Sequence, residues 1–206
     1  MNLPNKLTVF RVILVFVILI ISLINMQGTI LGIPINMFII DNFDIKWIVI
    51  DIIFILASIT DKLDGYIARS TNQITTFGKF LDPIADKILV IVSMIILVEH
   101  SKIPSWIPAI IIMREFIVSG YRLIAVEKKG EVVAASIWGK LKTVTQMIAI
   151  ILAFIDTNPF GAIFTNSLTG YNFAINLIVT LMMIICVIAT IFSGWDYIKN
   201  GKDLLK

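Results

Sequence analysis

The stretch DKLDGYIARSTNQITTFGKFLDPIADK, residues 61–87, places four aspartates in a chain that is otherwise strongly apolar. Hydrophobic residues make up 58% of the 206 residues. A carboxylate at the edge of an apolar medium is costly unless it is paired, neutralised or bound to a cation. The setting of these acids therefore decides what the chain can do. They are Asp61, Asp64, Asp82 and Asp86.

The long apolar runs around this stretch predict an all-α, polytopic membrane protein that forms one domain over residues 1–206. We interpret residues 2–11 as a short interfacial segment leading into the first of six transmembrane helices. The connection 27–46 contains Gly and Pro and is interpreted as a loop or re-entrant piece. The predicted spans run from about Val12 to Met26, from Trp47 into the aspartate stretch, from Phe77 to Val98, from Pro104 to Val126, from Val133 to Ile155 and from Phe173 to Phe192.

The distribution of basic residues predicts the orientation. Six spans put both termini on one side, which we take as cytoplasmic. The outer connections 27–46, 99–103 and 156–172 then hold only Lys46 and Lys102 of the 17 Lys and Arg residues. Because Lys and Arg favour the cytoplasmic side of a membrane, this asymmetry supports a multi-pass cell-membrane protein with the aspartate stretch facing the cytoplasm. No nucleic-acid partner is predicted.

The other polar candidates receive structural interpretations. The single cysteine, Cys186, excludes an intrachain disulfide and a cysteine-based metal cluster. His100 lies in a short polar turn and is predicted to be a solvated loop residue. Asp51, inside the second span, is predicted to have a hydrogen-bonding role rather than a catalytic one.

Helical spacing brings the four acids together. The first two aspartates and Gly65 share one face of the second helix, and the last two aspartates and Gly78 share one face of the third. The two helices are antiparallel and joined by a short loop. If these faces meet, four carboxylates converge in a pocket, and the two glycines leave it room.

Such a cluster is most simply stabilised by one or two hard divalent cations, usually Mg²⁺. Two carboxylate-bridged metals are a recurring device for phosphoryl chemistry, and a carboxylate that is not fully used as a ligand can act as a general base. The absence of His and Cys from the stretch disfavours zinc. The chemistry predicted from the residues is therefore metal-assisted phosphoryl transfer.

Two other interpretations remain open. The aspartates could pair with neighbouring Lys and Arg residues in an interfacial belt of salt bridges. They could also mark a divalent-metal or proton pathway, although only Asp51 and Asp156 continue toward the other side of the membrane. The partners of the first alternative would be Lys62, Arg69, Lys79 and Lys87.

The spacing Asp61-x2-Asp64-Gly65-x2-Ala68-Arg69-x8-Gly78-x3-Asp82-x3-Asp86 resembles the full signature of the CDP-alcohol phosphotransferases. The resemblance implies that an alcohol attacks the β-phosphate of a CDP-linked lipid and that CMP leaves. It implies two Mg²⁺ ions per active site, with Mn²⁺ as an alternative, and a homodimer in the lipid bilayer. Asp61 and Asp82 would bridge both ions, Asp64 and Asp86 would complete one site each, and Asp86 would be the base. Contacts to the CDP-lipid are carried over to Asn5, Thr8, Gly65, Arg69, Thr75 and Gly78.

The acceptor is predicted from basic residues in the fourth and fifth spans. Arg114 lies too deep in its apolar stretch for its side chain to reach the membrane interface easily, which disfavours a snorkelling role. A basic cluster suits an acceptor that carries its own phosphate. Residues 114–122 and 139–143 are similar to segments of the bacterial phosphatidylglycerophosphate synthases, whose substrates are CDP-diacylglycerol and sn-glycerol 3-phosphate. Inositol phosphate, serine and phosphatidylglycerol are the alternative acceptors. The residues predicted to bind the acceptor phosphate are Arg114, Arg122, Lys140 and Lys142.

Overall fold

A computed structural model describes residues 2–23, 29–30, 33–34, 39–40, 43–70, 76–129, 137–165 and 168–200. These residues are predominantly helical, as predicted. The helices are α1 (Leu3–Leu23), α2 (Ile45–Ser70), α3 (Thr76–Glu99), α4 (Trp106–Lys129), α5 (Ile137–Ile155), α6 (Ala162–Thr165) and α7 (Gly170–Asn200).

The connection between α1 and α2 contains four two-residue strands that form two antiparallel pairs. In the first pair, Thr29 lies opposite Pro34. In the second, Ile39 lies opposite Asp44. The described residues of the predicted loop or re-entrant piece thus include two short antiparallel strand pairs. The strands are β1 (Thr29–Ile30), β2 (Ile33–Pro34), β3 (Ile39–Ile40) and β4 (Phe43–Asp44).

The chain divides into two compact units, residues 1–100 and 101–206. In the first unit, α1 packs against both α2 and α3. One face of α1 is buried and apolar along Val15 and Ile18, and the buried face of α2 includes Phe54. The opposite face of α1 exposes large apolar side chains such as Phe16 and Ile20, as expected for a helix that meets lipid.

The predicted interfacial segment forms the start of α1. The helix begins at Leu3, so residues 3–11 are its first turns and run without a break into the apolar part. Pro4 in the first turn is compatible with this start, because the missing N–H of proline has no helical partner there. The buried polar side chains of Thr8 and Arg11 therefore lie on the same rigid element as the apolar core of the unit.

In the second unit, α7 packs along α4 and α5. The buried Lys102 closes the end of α5, because its Nζ donates to the carbonyl oxygens of Phe154 at 2.9 Å and Asp156 at 2.5 Å. Asn176 on α7 donates to Asp156 Oδ2 at 2.8 Å. These bonds satisfy buried polar groups where the chain leaves α5.

Helix α7 is longer than the predicted sixth span. Residues 194–200 lie beyond that predicted span, but they continue the helix to Asn200. Its Tyr197 is buried. This extension matters because it brings Tyr197 to the basic residues of α4, as described below.

Three stretches are long and apolar enough to cross a membrane among the described residues: Asn5–Leu23, Ile137–Ile155 and Gly170–Lys199. Together with the family established below, they identify an integral membrane protein. Helices α2, α3, α4 and α5 carry the charged residues on which the site predictions depend. The prediction of six spans with cytoplasmic termini stays a prediction, as does that of one domain.

Candidate active site

Three of the four signature aspartates meet the polar face of α1. Thr8 Oγ1 donates a hydrogen bond of 2.6 Å to Asp82 Oδ1 on α3. One turn further along α1, Arg11 Nη1 lies 3.0 Å from Asp61 Oδ1 on α2 and 3.0 Å from Asp86 Oδ1 on α3. Since both oxygens touch the same nitrogen, they lie within twice that distance of each other. We call these three carboxylates with Thr8 and Arg11 the aspartate cluster.

The geometry follows from helical spacing. Thr8 and Arg11 are three residues apart on α1, and Asp82 and Asp86 are four apart on α3, so each pair lies on one face of its helix. Asn5 and Gly78, two of the predicted CDP-lipid contacts, are also buried on these helices. The predicted meeting of the second and third helices is thus extended to a third element, α1.

Four other predicted site residues cannot be placed in the cluster. Asp64, Gly65 and Arg69 lie on α2, but their side chains are outside the described part of the structure. Thr75 is also outside the described residues. The roles predicted for these four positions therefore stay predictions.

The donor set fits a hard divalent cation. Carboxylate oxygens are the ligands that Mg²⁺ prefers, and the side chains of Asp61 and Asp86 are 32% and 42% exposed, so a cation could reach them. Within the side chains that the structure describes, no group of three His, Cys, Asp or Glu residues forms a ready metal-ligating set. In this structure Arg11 contacts two of the predicted ligands.

A second polar cluster joins the basic residues of α4 and α5. Arg114 Nη1 donates to Glu115 Oε1 at 3.1 Å, and Lys142 Nζ donates to the same oxygen. Two of the predicted phosphate-binding cations thus converge on one anionic oxygen. We call Arg114, Glu115 and Lys142, with their partners on α7, the basic cluster.

Helix α7 completes the basic cluster. Arg114 Nη2 donates to Ser193 Oγ, and the aliphatic part of Arg114 passes close to Gly194. Arg122 Nη2 donates to Tyr197 Oη at 2.6 Å. The Tyr197 ring centroid lies 5.7 Å from the Arg114 guanidinium and 5.3 Å from that of Arg122, distances at which a ring attracts a cation.

Lys140 differs from the other predicted phosphate ligands. Its side chain is exposed on α5, whereas that of Lys142 is buried. Two residues of separation on a helix correspond to roughly opposite faces, since a helix has about 3.6 residues per turn. The spacing alone could have signalled that Lys140 and Lys142 do not point the same way.

The sequence interpretation missed three residues that the structure brings to these clusters. Arg11 was interpreted only as part of the interfacial segment 2–11, although its three-residue spacing from Thr8 could have placed it on the same helix face. Ser193 and Tyr197 come from the end of α7, about 80 residues along the chain from their partners on α4. No local pattern connects them to Arg114 or Arg122.

Comparison with known families resolves the class of the protein. The family model described as CDP-alcohol phosphatidyltransferase matches residues 1–195. The chain belongs to the CDP-alcohol phosphatidyltransferase family. The resemblance inferred from the aspartate signature is therefore confirmed, and with it the prediction of an enzyme of this class.

Relatives within this family match the chain from end to end. A protein of Bacillus subtilis is 39% identical over 205 residues, which cover 100% of this chain and 97% of the relative. Proteins of Haemophilus influenzae and Rickettsia typhi are each 35% identical, over 99% and 98% of this chain and 95% and 97% of their own lengths. All three are named CDP-diacylglycerol–glycerol-3-phosphate 3-phosphatidyltransferase.

Proposed function

We propose that this protein transfers a phosphatidyl group from CDP-diacylglycerol to sn-glycerol 3-phosphate, giving phosphatidylglycerophosphate and CMP. The observation that carries the proposal is the full-length similarity to relatives that bear this activity in their names. The convergence of Asp61, Asp82 and Asp86 supports the reaction class. The convergence of Arg114 and Lys142 on one carboxylate oxygen supports a phosphate-bearing acceptor.

In the proposed reaction, the acceptor hydroxyl oxygen forms a bond to the β-phosphorus of the CDP-lipid. The bond from that phosphorus to the bridging oxygen breaks, and CMP leaves with the electron pair. Asp86 takes the proton of the attacking hydroxyl. The exposure of the Asp86 side chain, 42%, leaves it open to a substrate, which a general base requires.

Asp61, Asp64, Asp82 and Asp86 would hold two Mg²⁺ ions, or Mn²⁺ as the alternative. When bound, these ions supply positive charge that binds the pyrophosphate and offsets charge that develops during transfer. Thr8 orients Asp82 through its 2.6 Å hydrogen bond. Asn5, Thr8, Gly65, Arg69, Thr75 and Gly78 are the proposed contacts to the CDP-lipid.

Arg114, Arg122, Lys140 and Lys142 are the proposed ligands of the acceptor phosphate. A guanidinium can bind phosphate through two parallel N–H groups, which makes Arg114 the strongest candidate. Tyr197 fixes the direction of Arg122 through its hydroxyl and both guanidiniums through its ring. The exposed Lys140 is expected to contribute least.

The proposal includes six transmembrane helices, cytoplasmic termini, a cytoplasm-facing active site and a homodimer. The apolar helices and the scarcity of Lys and Arg in the outer connections support the topology. Cysteine labelling of residues 100 and 199 from either side of sealed vesicles tests this topology, in which the two residues lie on opposite sides of the membrane. Cross-linking in intact membranes tests the dimer.

A metal transporter is the alternative from another class. It would use Asp156 as a step toward the outer side, but this carboxylate accepts hydrogen bonds from Asn158 and Asn176 and forms part of the connection after α5. The two functions separate in sealed vesicles. A transferase gives labelled lipid from CDP-diacylglycerol, whereas a transporter gives metal flux without CDP-lipid.

A further inference from the structure

Arg11 is a fully buried cation held between two of the proposed metal ligands. Its side chain has 0% exposure, and its Nη1 contacts Asp61 on α2 and Asp86 on α3 at the same distance. A buried charge is stable only when it is paired, and clustered carboxylates need positive charge nearby. Arg11 and the two aspartates therefore stabilise one another in this structure.

A divalent cation would bind the same carboxylate oxygens. A metal ion that binds Asp61 and Asp86 competes with Arg11 for the carboxylates, and it also repels the guanidinium because both are positive. We propose that Arg11 is the resident counter-ion of the aspartate cluster, and that a divalent cation displaces it from Asp61, Asp86 or both on binding. This inference rests on the proposed metal-dependent function.

The position of Arg11 on α1 gives this exchange a structural consequence. Thr8, one turn earlier, holds Asp82, so a single helix orients three carboxylates before any metal binds. Arg11 is therefore a positioning residue. It keeps α2 and α3 against α1 in the metal-free protein, and metal takes over that neutralising role in the loaded protein.

Two other roles for Arg11 make different predictions. A purely structural anchor would stabilise the protein equally with and without metal. A ligand of the substrate pyrophosphate would change the KM for the CDP-lipid and leave metal affinity unchanged. Only a displaced counter-ion couples Arg11 to metal affinity itself, because the metal must break its ion pairs in order to bind.

The test measures Mn²⁺ binding to the full-length protein in detergent. Binding is detected as the loss of the free Mn²⁺ signal in electron paramagnetic resonance. Arg11→Met removes the charge and keeps much of the side-chain volume. We expect its Kd for Mn²⁺ to be about tenfold lower than that of the wild type, since a like charge is removed from the site. Lys6→Met, which removes an exposed charge from the same helix, should leave the Kd within about twofold.

Thermal unfolding supplies a second readout. In EDTA the Tm of Arg11→Met should fall below that of the wild type, and saturating Mg²⁺ should close most of the gap. If Arg11→Met does not fold without metal, Arg11→Lys serves the same purpose. The lysine keeps the charge but has fewer donors, so its Tm deficit in EDTA should also shrink with Mg²⁺.

The proposal is overturned if Arg11→Met binds Mn²⁺ with an unchanged or higher Kd than the wild type. It is also overturned if the variant that folds shows the same Tm deficit in EDTA and in Mg²⁺. A different result is expected if the proposed metal-dependent function itself is wrong. In that case the wild type itself binds no Mn²⁺ and shows no metal-dependent CMP release. A wild type that binds metal beside an Arg11→Met variant with the same affinity refutes only the role of Arg11.

Discussion

The aspartate cluster and the basic cluster have opposite charge, but each contains an internal ion of the other sign. In the first, the carboxylates of α2 and α3 surround the buried Arg11. In the second, Arg114 and Lys142 hold Glu115. In each cluster the internal ion has the same sign as the proposed ligand, which is a divalent cation in the aspartate cluster and a phosphate in the basic cluster.

The clusters differ in how open they are. The side chains of Asp61 and Asp86 are 32% and 42% exposed. Those of Arg114, Lys142 and Glu115 are 10%, 6% and 20% exposed. Both clusters are paired internally, but the two aspartates are more accessible to a ligand than the more deeply buried side chains of the basic cluster. This difference predicts that changes to the aspartates affect the reaction step most and changes to the basic cluster affect acceptor binding.

The largest effect is expected at Asp86. Asp86→Asn keeps the shape of the side chain but removes the base and a metal ligand, so CMP release should fall by about a thousandfold or more. CDP-lipid binding should be largely retained. Turnover with labelled CDP-diacylglycerol measures CMP release, and equilibrium binding measures the affinity for the CDP-lipid. Glu99→Gln, an exposed acid at the other end of α3, is the matched control. Turnover close to the wild-type value in Asp86→Asn would remove Asp86 as the base.

A smaller effect, confined to the acceptor, is expected at Arg114. Loss of a charge-assisted contact to phosphate should raise the KM for glycerol 3-phosphate about 50-fold in Arg114→Ala. The KM for CDP-diacylglycerol should change by less than about threefold. Lys199→Ala, an exposed cation on α7, should leave both constants unchanged, and Lys140→Ala should have a smaller effect than Arg114→Ala. An unchanged acceptor KM in Arg114→Ala would refute the phosphate assignment.

Thr8 tests whether α1 takes part in the aspartate cluster. Thr8→Val preserves the shape of the side chain but cannot donate to Asp82, so turnover should fall about tenfold. Thr8→Ser keeps the hydroxyl and should retain most of the wild-type turnover. Comparing kcat for the three proteins at saturating substrates measures the effect. Equal loss in the valine and serine variants would show that the methyl group, not the hydrogen bond, is what matters.

The smallest effect is expected at Glu115. If its carboxylate competes with the acceptor phosphate for Arg114 and Lys142, Glu115→Gln should lower the acceptor KM about threefold. Glu115→Asp keeps the charge and should not lower it. Steady-state kinetics with varied glycerol 3-phosphate measures both. A raised KM in Glu115→Gln would mean that Glu115 orients the cations instead of competing for them.

The same comparison shows how much could be predicted from the sequence. The acids of the aspartate cluster lie within one stretch of 27 residues, and the two helices that carry them are close in the sequence, since α2 ends at Ser70 and α3 begins at Thr76. Helical spacing therefore sufficed to predict that Asp61, Asp82 and Asp86 approach each other. The long helices also lie where the apolar runs predicted them.

What could not be predicted depends on contacts between distant parts of the chain. Arg11 reaches Asp86 across 75 residues, and Arg114 reaches Ser193 across 79. Tyr197 lies beyond the predicted sixth span, but α7 continues past it and packs against α4, so Tyr197 is helical and buried. Periodicity within one helix gives the face of a residue but not the helix that this face will meet.

The most direct test of the account is the reaction itself. Purified protein is incubated with CDP-diacylglycerol, Mg²⁺ and one labelled alcohol at a time, and both CMP and the lipid product are measured. The alcohols are glycerol 3-phosphate, inositol phosphate, serine and phosphatidylglycerol. We expect equal amounts of CMP and labelled phosphatidylglycerophosphate with glycerol 3-phosphate, no labelled lipid with the other three alcohols, and no product in EDTA. A labelled lipid formed from another alcohol, or product formation that persists in EDTA, would contradict it.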